Sequence, residues 1–64
     1  MKHLLDLVRV RIRLAQFYEL TDVNRWLHRP HPQLGGQRAI DVIAAGRAAE
    51  VEAVIDRLES GAFT

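Results

Sequence analysis

Sixty-four residues allow one domain at most and bury only about 60% of the surface that the unfolded chain exposes. Cysteine is absent, which excludes disulfides and thiolate metal sites, and an apolar content of 48% argues against disorder. The net charge of +1 names no partner, but it is uneven: residues 1–32 hold six Lys/Arg against three Asp/Glu, and residues 33–64 hold three against five.

A basic front and an acidic back attract another copy head to tail, or two faces of one partner, unless they are ordinary solvated helix faces. A chain this small usually needs a supplement to its core. Oligomerisation or docking to a partner is therefore expected to complete the fold. No stretch approaches the ~18 consecutive apolar residues of a membrane span. Asp6, Arg9, Arg11 and Arg13 interrupt any signal-peptide core. The chain is expected in the cytoplasm.

Lys2 to about Tyr18 carries two signals. Val8 to Leu14 alternates apolar and charged residues, as a strand does. The adjacent pairs Leu4-Leu5 and Leu7-Val8 break that alternation, and at 100° per residue Lys2, Asp6, Arg9, Arg13 and Gln16 fall on one narrow polar stripe. The second pattern predicts a helix. It is apolar around most of its circumference: Leu4, Val8, Ile12 and Ala15 form one row, and Leu7, Val10, Leu14 and Phe17 another. One small domain can hardly cover both, so the excess points to a second contact. Arg11 lies on the apolar side. Either its stem snorkels along the core edge, or it pairs with an acidic residue of a neighbour.

Thr21 is a candidate N-cap for a short helix of about Asp22 to His28, with Val23, Trp26 and Leu27 as core residues. Arg29-Pro30-His31-Pro32 then breaks the helix, because each proline fixes its own φ and extends the residue before it. Leu34 is expected to plug back into the core ahead of Gly35-Gly36. His28 and His31 lack a third ligand in metal spacing, so a solvent-facing or hydrogen-bonding role is expected for them. The glycine pair lacks the strand and the Lys-Ser/Thr of a phosphate loop.

Gln37 to Ala45 reads as a compact helix with Ile40 and Ile43 inward. Asp41 suits its positive end or holds Arg38, and Gly46 stops it at positive φ. Arg47 to about Glu59 is amphipathic, with Val51, Val54, Ile55 and Leu58 on one side. Ser60-Gly61 ends it. Phe63 in the tail either folds back onto the core or projects into a partner. These elements predict a single all-α domain over residues 1–64, a small bundle of three to four helices. No nucleophile–base pair, carboxylate pair or metal cluster reaches usable spacing, so neither catalysis nor a cofactor is expected. Arg9, Arg11, Arg13, Arg25 and Arg29 suggest nucleic-acid binding as an alternative. Arg11 does not share a face with Arg9 and Arg13, and no polar recognition helix is visible. A plain oligomerisation module built on the first helix is a further alternative, compatible with the others.

Trp26-Leu27, then Pro30-His31-Pro32-Gln33-Leu34-Gly35-Gly36, then Ile40-Asp41-Val42-Ile43, Gly46 and Gly61-Ala62-Phe63 resemble the toxin-binding domain of the Xre/MbcA/ParS antitoxins. The resemblance covers roughly residues 5–64. It implies an all-helical antitoxin of a type II toxin–antitoxin system, whose partner is a RES-domain toxin that consumes NAD. Such an antitoxin occludes the toxin's NAD site with its C-terminal end. The implied toxin-binding residues are Gly61, Ala62, Phe63 and Thr64, with Arg47 on the supporting interface. Two departures bear on this. Ala39 stands where many members have a proline two residues before the Asp. Longer members carry an N-terminal helix-turn-helix domain, for which there is no room before Met1, so promoter binding is not expected to carry over.

Overall fold

The computed structural model describes residues 2–61. Helix α1 spans Lys2–Leu14, α2 Leu20–His28, α3 Ala39–Ala44 and α4 Ala48–Gly61, with a single 3-10 turn at Pro32–Leu34. Among the described residues there is no strand, only an isolated antiparallel bridge between Pro30 and Arg38. The fold is the expected all-α bundle. The short α3 lies at its centre and packs on α1, α2 and α4, while α1 also packs along α4.

The core takes Val10 and Leu14 from α1, Val23, Trp26 and Leu27 from α2, and Leu34 from the 3-10 turn. Ala39, Val42 and Ile43 come from α3, and Ala48, Val51, Val54 and Ile55 from α4. Only one of the two apolar rows of α1 is used. Val10 and Leu14 are buried with Leu7 packed against them, whereas Phe17 of the same row is exposed, as are all of Leu4, Val8, Ile12 and Ala15. This is the division that the limited covering capacity of so small a domain predicts.

Several boundaries differ from the sequence reading. Helix α1 ends at Leu14, not near Tyr18. The chain tightens there through Gln16 N–H to the Arg13 carbonyl (3.3 Å), with both Phe17 and Tyr18 donating to the Leu14 carbonyl at 3.0 Å. A further turn would carry the chain away from the core that α2 must reach. Thr21 is not a cap. Helix α2 starts at Leu20, with Glu19 in the N-cap position and no side-chain hydrogen bond there. Helix α3 begins at Ala39 and not Gln37, because Arg38 is held in extended geometry and paired with Pro30. The His31 N–H donates to the Gln37 carbonyl at 3.1 Å. On α3, Ile43 is buried but Ile40 is only partly so, and Val42 takes the inward place instead. Helix α4 begins at Ala48 and continues to Gly61, beyond Glu59. Val51, Val54 and Ile55 are buried, while Leu58 stays exposed.

Gly46 does stop α3 as expected, at φ 81°. Its N–H donates to the Ile43 carbonyl (2.9 Å) and the Arg47 N–H to the Val42 carbonyl (3.0 Å). That pair of bonds is the Schellman pattern, which satisfies the helix's last carbonyls and turns the chain into α4.

Candidate functional site

The proline corner sets the geometry. Trp26 is 5% exposed and His31 4%, with ring centroids 4.3 Å apart and planes tilted by 42°. His31 Nε2 donates to the Trp26 carbonyl oxygen at 2.8 Å. That carbonyl belongs to the last turn of α2, where it has no partner within the helix. One side chain therefore terminates α2 and packs its indole. Of the roles left open for His31, burial decides for the hydrogen bond and excludes the solvent-facing one. His28 is exposed, and its Nδ1 donates to the Asn24 carbonyl at 2.8 Å. Both histidine rings thus bond to backbone carbonyls of the chain itself. Asp41 is held by a two-pronged contact from Arg38, at 2.7 and 3.0 Å. Its carboxyl is lowered below its ordinary value chiefly by that hydrogen bond.

Arg47, a candidate contact residue, precedes α4. Its guanidinium donates to both Glu50 oxygens at 2.6 and 3.0 Å and to Gln37 Oε1 at 3.1 Å. The bond from Arg47 lowers the Glu50 carboxyl. Arg47 therefore fastens the start of α4 to the segment before α3, with three of a guanidinium's five donors engaged. Gly61, the next candidate, is the last residue of α4, and Ala62, Phe63 and Thr64 lie outside the described residues. A helix rises ~1.5 Å per residue, which puts Arg47 and Gly61 roughly 20 Å apart. The structure does not bring these two together.

The far end of α4 is fixed by a residue the sequence reading placed on a polar stripe and among the nucleic-acid candidates, with no part in the fold. Arg13 of α1 bonds both Asp56, at 2.6 Å, and Glu59 through Nη2, and its Nη1 lies 3.8 Å from Glu52. The signal was present: Glu52, Asp56 and Glu59 repeat at i, i+4 and i+7 and make an acidic face for one guanidinium. This engagement also removes Arg13 from the five arginines offered for nucleic acid. Of the rest, Arg25 and Arg29 line a shallow pocket of about 250 Å³ with Tyr18, Asp22 and Trp26. Arg25 lies 3.5 Å from Asp22.

Apolar surface gathers elsewhere. Leu4, Leu5, Val8, Ile12 and Leu20 are exposed on and beside α1. A groove of about 300 Å³ is lined by Val8, Arg11, Ile12, Ala15 and Leu20. Another, of about 250 Å³, is lined by Leu4, Leu7, Ile40, Ile43 and Ala44. Arg11 is thus an exposed side chain at the wall of an apolar groove. No helix among the described residues is long and apolar enough to cross a membrane.

Residues 13–61 match the model of the antitoxin Xre/MbcA/ParS C-terminal toxin-binding domain. The chain belongs to this antitoxin family. The matched span runs from the Arg13 clamp to the end of α4, and it includes the Trp26–His31 corner. No curated protein matches the chain, and no solved structure does. Membership makes this antitoxin domain a binding module for a toxin protein. Gly61 and Arg47 fall within the matched span, while residues 2–12 and 62–64 fall outside it.

Proposed function

We propose that this antitoxin domain neutralises a RES-domain, NAD-consuming toxin by covering its active site. Gly61, Ala62, Phe63 and Thr64 form the occluding segment, and Arg47 contributes to the supporting interface. The family match to a toxin-binding domain carries the proposal, and the sequence resemblance supplies the toxin class. The mechanism needs no chemistry from this chain. It needs steric exclusion, with a few buried anchors supplying most of the affinity.

The clamp on α4 supports the assignment of the occluding segment. Arg13 holds Asp56 and Glu59, so α4 reaches Gly61 as part of the bundle. A segment that starts from an anchored helix loses less freedom on binding than one starting from a mobile linker. Phe63 is the largest side chain in the segment and its natural anchor. Arg47, about 20 Å away along α4, belongs to a separate, supporting contact.

The test is to delete Ala62 to Thr64. Protection of cells against the toxin should fall sharply, with cellular NAD dropping as it does without antitoxin, while the thermal melt of the bundle stays nearly unchanged. Full protection by the truncated chain at equal abundance would remove the tail from the mechanism. Full protection against a toxin that leaves NAD untouched would remove the RES assignment.

A further inference from the structure

We propose that the pocket beside α2, lined by Tyr18, Asp22, Arg25, Trp26 and Arg29, is a docking site for an acidic side chain of the toxin. The proposal rests on the family's toxin-binding role, and neither on the RES assignment nor on the tail. Arg25 and Arg29 stand one helical turn apart and therefore on one side of α2. Arg29 is the C-cap residue, with an extended backbone at φ −89° and ψ 139°, the geometry that the following Pro30 favours. The proline corner thus sets the base of its side chain. Trp26, whose carbonyl His31 holds, and Tyr18 give the pocket an aromatic wall.

The charges there do not cancel. Two guanidinium groups face one carboxylate, so the pocket is cationic. Asp22 answers Arg25 through a single contact of 3.5 Å, longer than an ordinary hydrogen bond. Among the described residues Arg29 meets no carboxylate. Arg38 and Arg47, by contrast, each bond both oxygens of their own acid. Guanidinium donors are left over here, beside an aromatic wall. An Asp or Glu suits both. Its oxygens accept from planar guanidinium groups, which favour two-pronged contacts with carboxylates, and its methylenes lie against the rings. A purely apolar side chain would strip water from the arginines and return no hydrogen bond.

The place of the pocket favours the toxin as the source of that acid. All five lining residues fall inside the span 13–61 shared with toxin-binding domains, whereas both apolar grooves draw on residues before 13. Nucleic acid needs a row of cations along its phosphates. Arg13 is taken by α4, and the pocket offers two arginines beside an aspartate.

The experiment is calorimetric titration of the full chain with the partner toxin at roughly 50 mM and roughly 300 mM salt. Arg25→Gln with Arg29→Gln should weaken binding roughly ten- to hundredfold at the lower salt, and the loss should shrink at the higher. Arg9→Gln with Arg11→Gln removes the same charge from exposed positions of α1 outside the matched span, and should cost less than about threefold. All four side chains are exposed, so both variants should melt as the natural chain does. Arg25→Glu with Arg29→Glu should regain affinity for a toxin whose docking acid is replaced by Lys. An unchanged affinity in the first variant, an equal loss in the α1 control, or a loss that follows a lowered melt would each overturn the proposal. So would a charge-reversed chain that no Lys replacement of a toxin acid rescues. A DNA duplex bound at physiological salt and released by the Arg25 and Arg29 changes would assign the pocket to nucleic acid instead. A toxin that spares NAD, or a tail that proves dispensable, alters none of these readings.

Discussion

His31 does more for this fold than its single buried ring suggests. Its Nε2 satisfies the Trp26 carbonyl, and its ring covers one side of the indole. Replacing it with Phe keeps the ring contact and removes the donor. A buried carbonyl left without a partner costs about 1–3 kcal/mol, and His31→Phe is expected to lose that much in chemical denaturation. A loss under ~0.5 kcal/mol would mean that water takes over the imidazole's place. His31→Ala should cost more, because the indole loses its cover as well. The residue-scale lesson concerns neighbours. Pro30 and Pro32 could be read as a break, but what the ring between them touches depends on where α2 stops, and that is a three-dimensional matter.

Between elements, fastening is electrostatic at the surface and apolar beneath. Among the described residues Arg13 is the one cation that reaches Glu52, Asp56 and Glu59, and its side chain is a quarter exposed. Removing it breaks three contacts and leaves three carboxylates close together. Isolated exposed pairs contribute about 0–1 kcal/mol, and a network with like-charged residues left behind sits at the upper end. Arg13→Gln should therefore destabilise the chain by ~1 kcal/mol at low salt, and the difference from the natural chain should shrink as salt screens the repulsion. A difference independent of salt would mean that the arginine stem, through packing, is what matters.

The starts of α3 and α4 respond to pH for a related reason. Asp41 and Glu50 are lowered from ordinary values of 3.8 and 4.5 by Arg38 and Arg47. A group with a depressed folded pKa stabilises the fold above its unfolded value and loses that contribution as pH falls through the folded one. Acid melts should therefore show stability steady above the ordinary carboxylate values and falling below them. Asp41→Asn should flatten part of that fall. An acid limb unchanged in both Asp41→Asn and Glu50→Gln would show that these exposed pairs do not hold the helix starts.

The whole molecule is compact without help, yet it has little to spare. Its radius of gyration is 11.1 Å, against about 10.7 Å expected for a folded domain of this length. A core this small rarely supplies more than about 3–5 kcal/mol. Truncating a buried Trp removes a similar amount. Trp26→Ala is thus expected to unfold the entire chain at 25 °C, lost as one cooperative unit in circular dichroism. A variant that kept α1 and α4 helical would show that the α1–α4 pair stands on its own.

Helical period, proline corners and glycine stops are local properties, and they are written residue by residue. The number of helices, the core set of Val23, Trp26, Leu27, Leu34, Ile43, Val51, Val54 and Ile55, and the turn at Gly46 were legible for that reason. The sequence also marked α1 as having more apolar surface than one domain can cover, but not which row would be covered. That choice rested on where α3 and α4 came to lie, since Val10 and Leu14 are equivalent to Val8 and Ile12 until a neighbour arrives. The same holds for the shortened α1 and for the delayed start of α3 behind the Pro30–Arg38 bridge. It holds also for Arg13, whose partners are 39 to 46 positions away along the chain. Periodicity reports which face of a helix is apolar, and only packing decides which face is buried, because burial is a relation between elements and not a property of one.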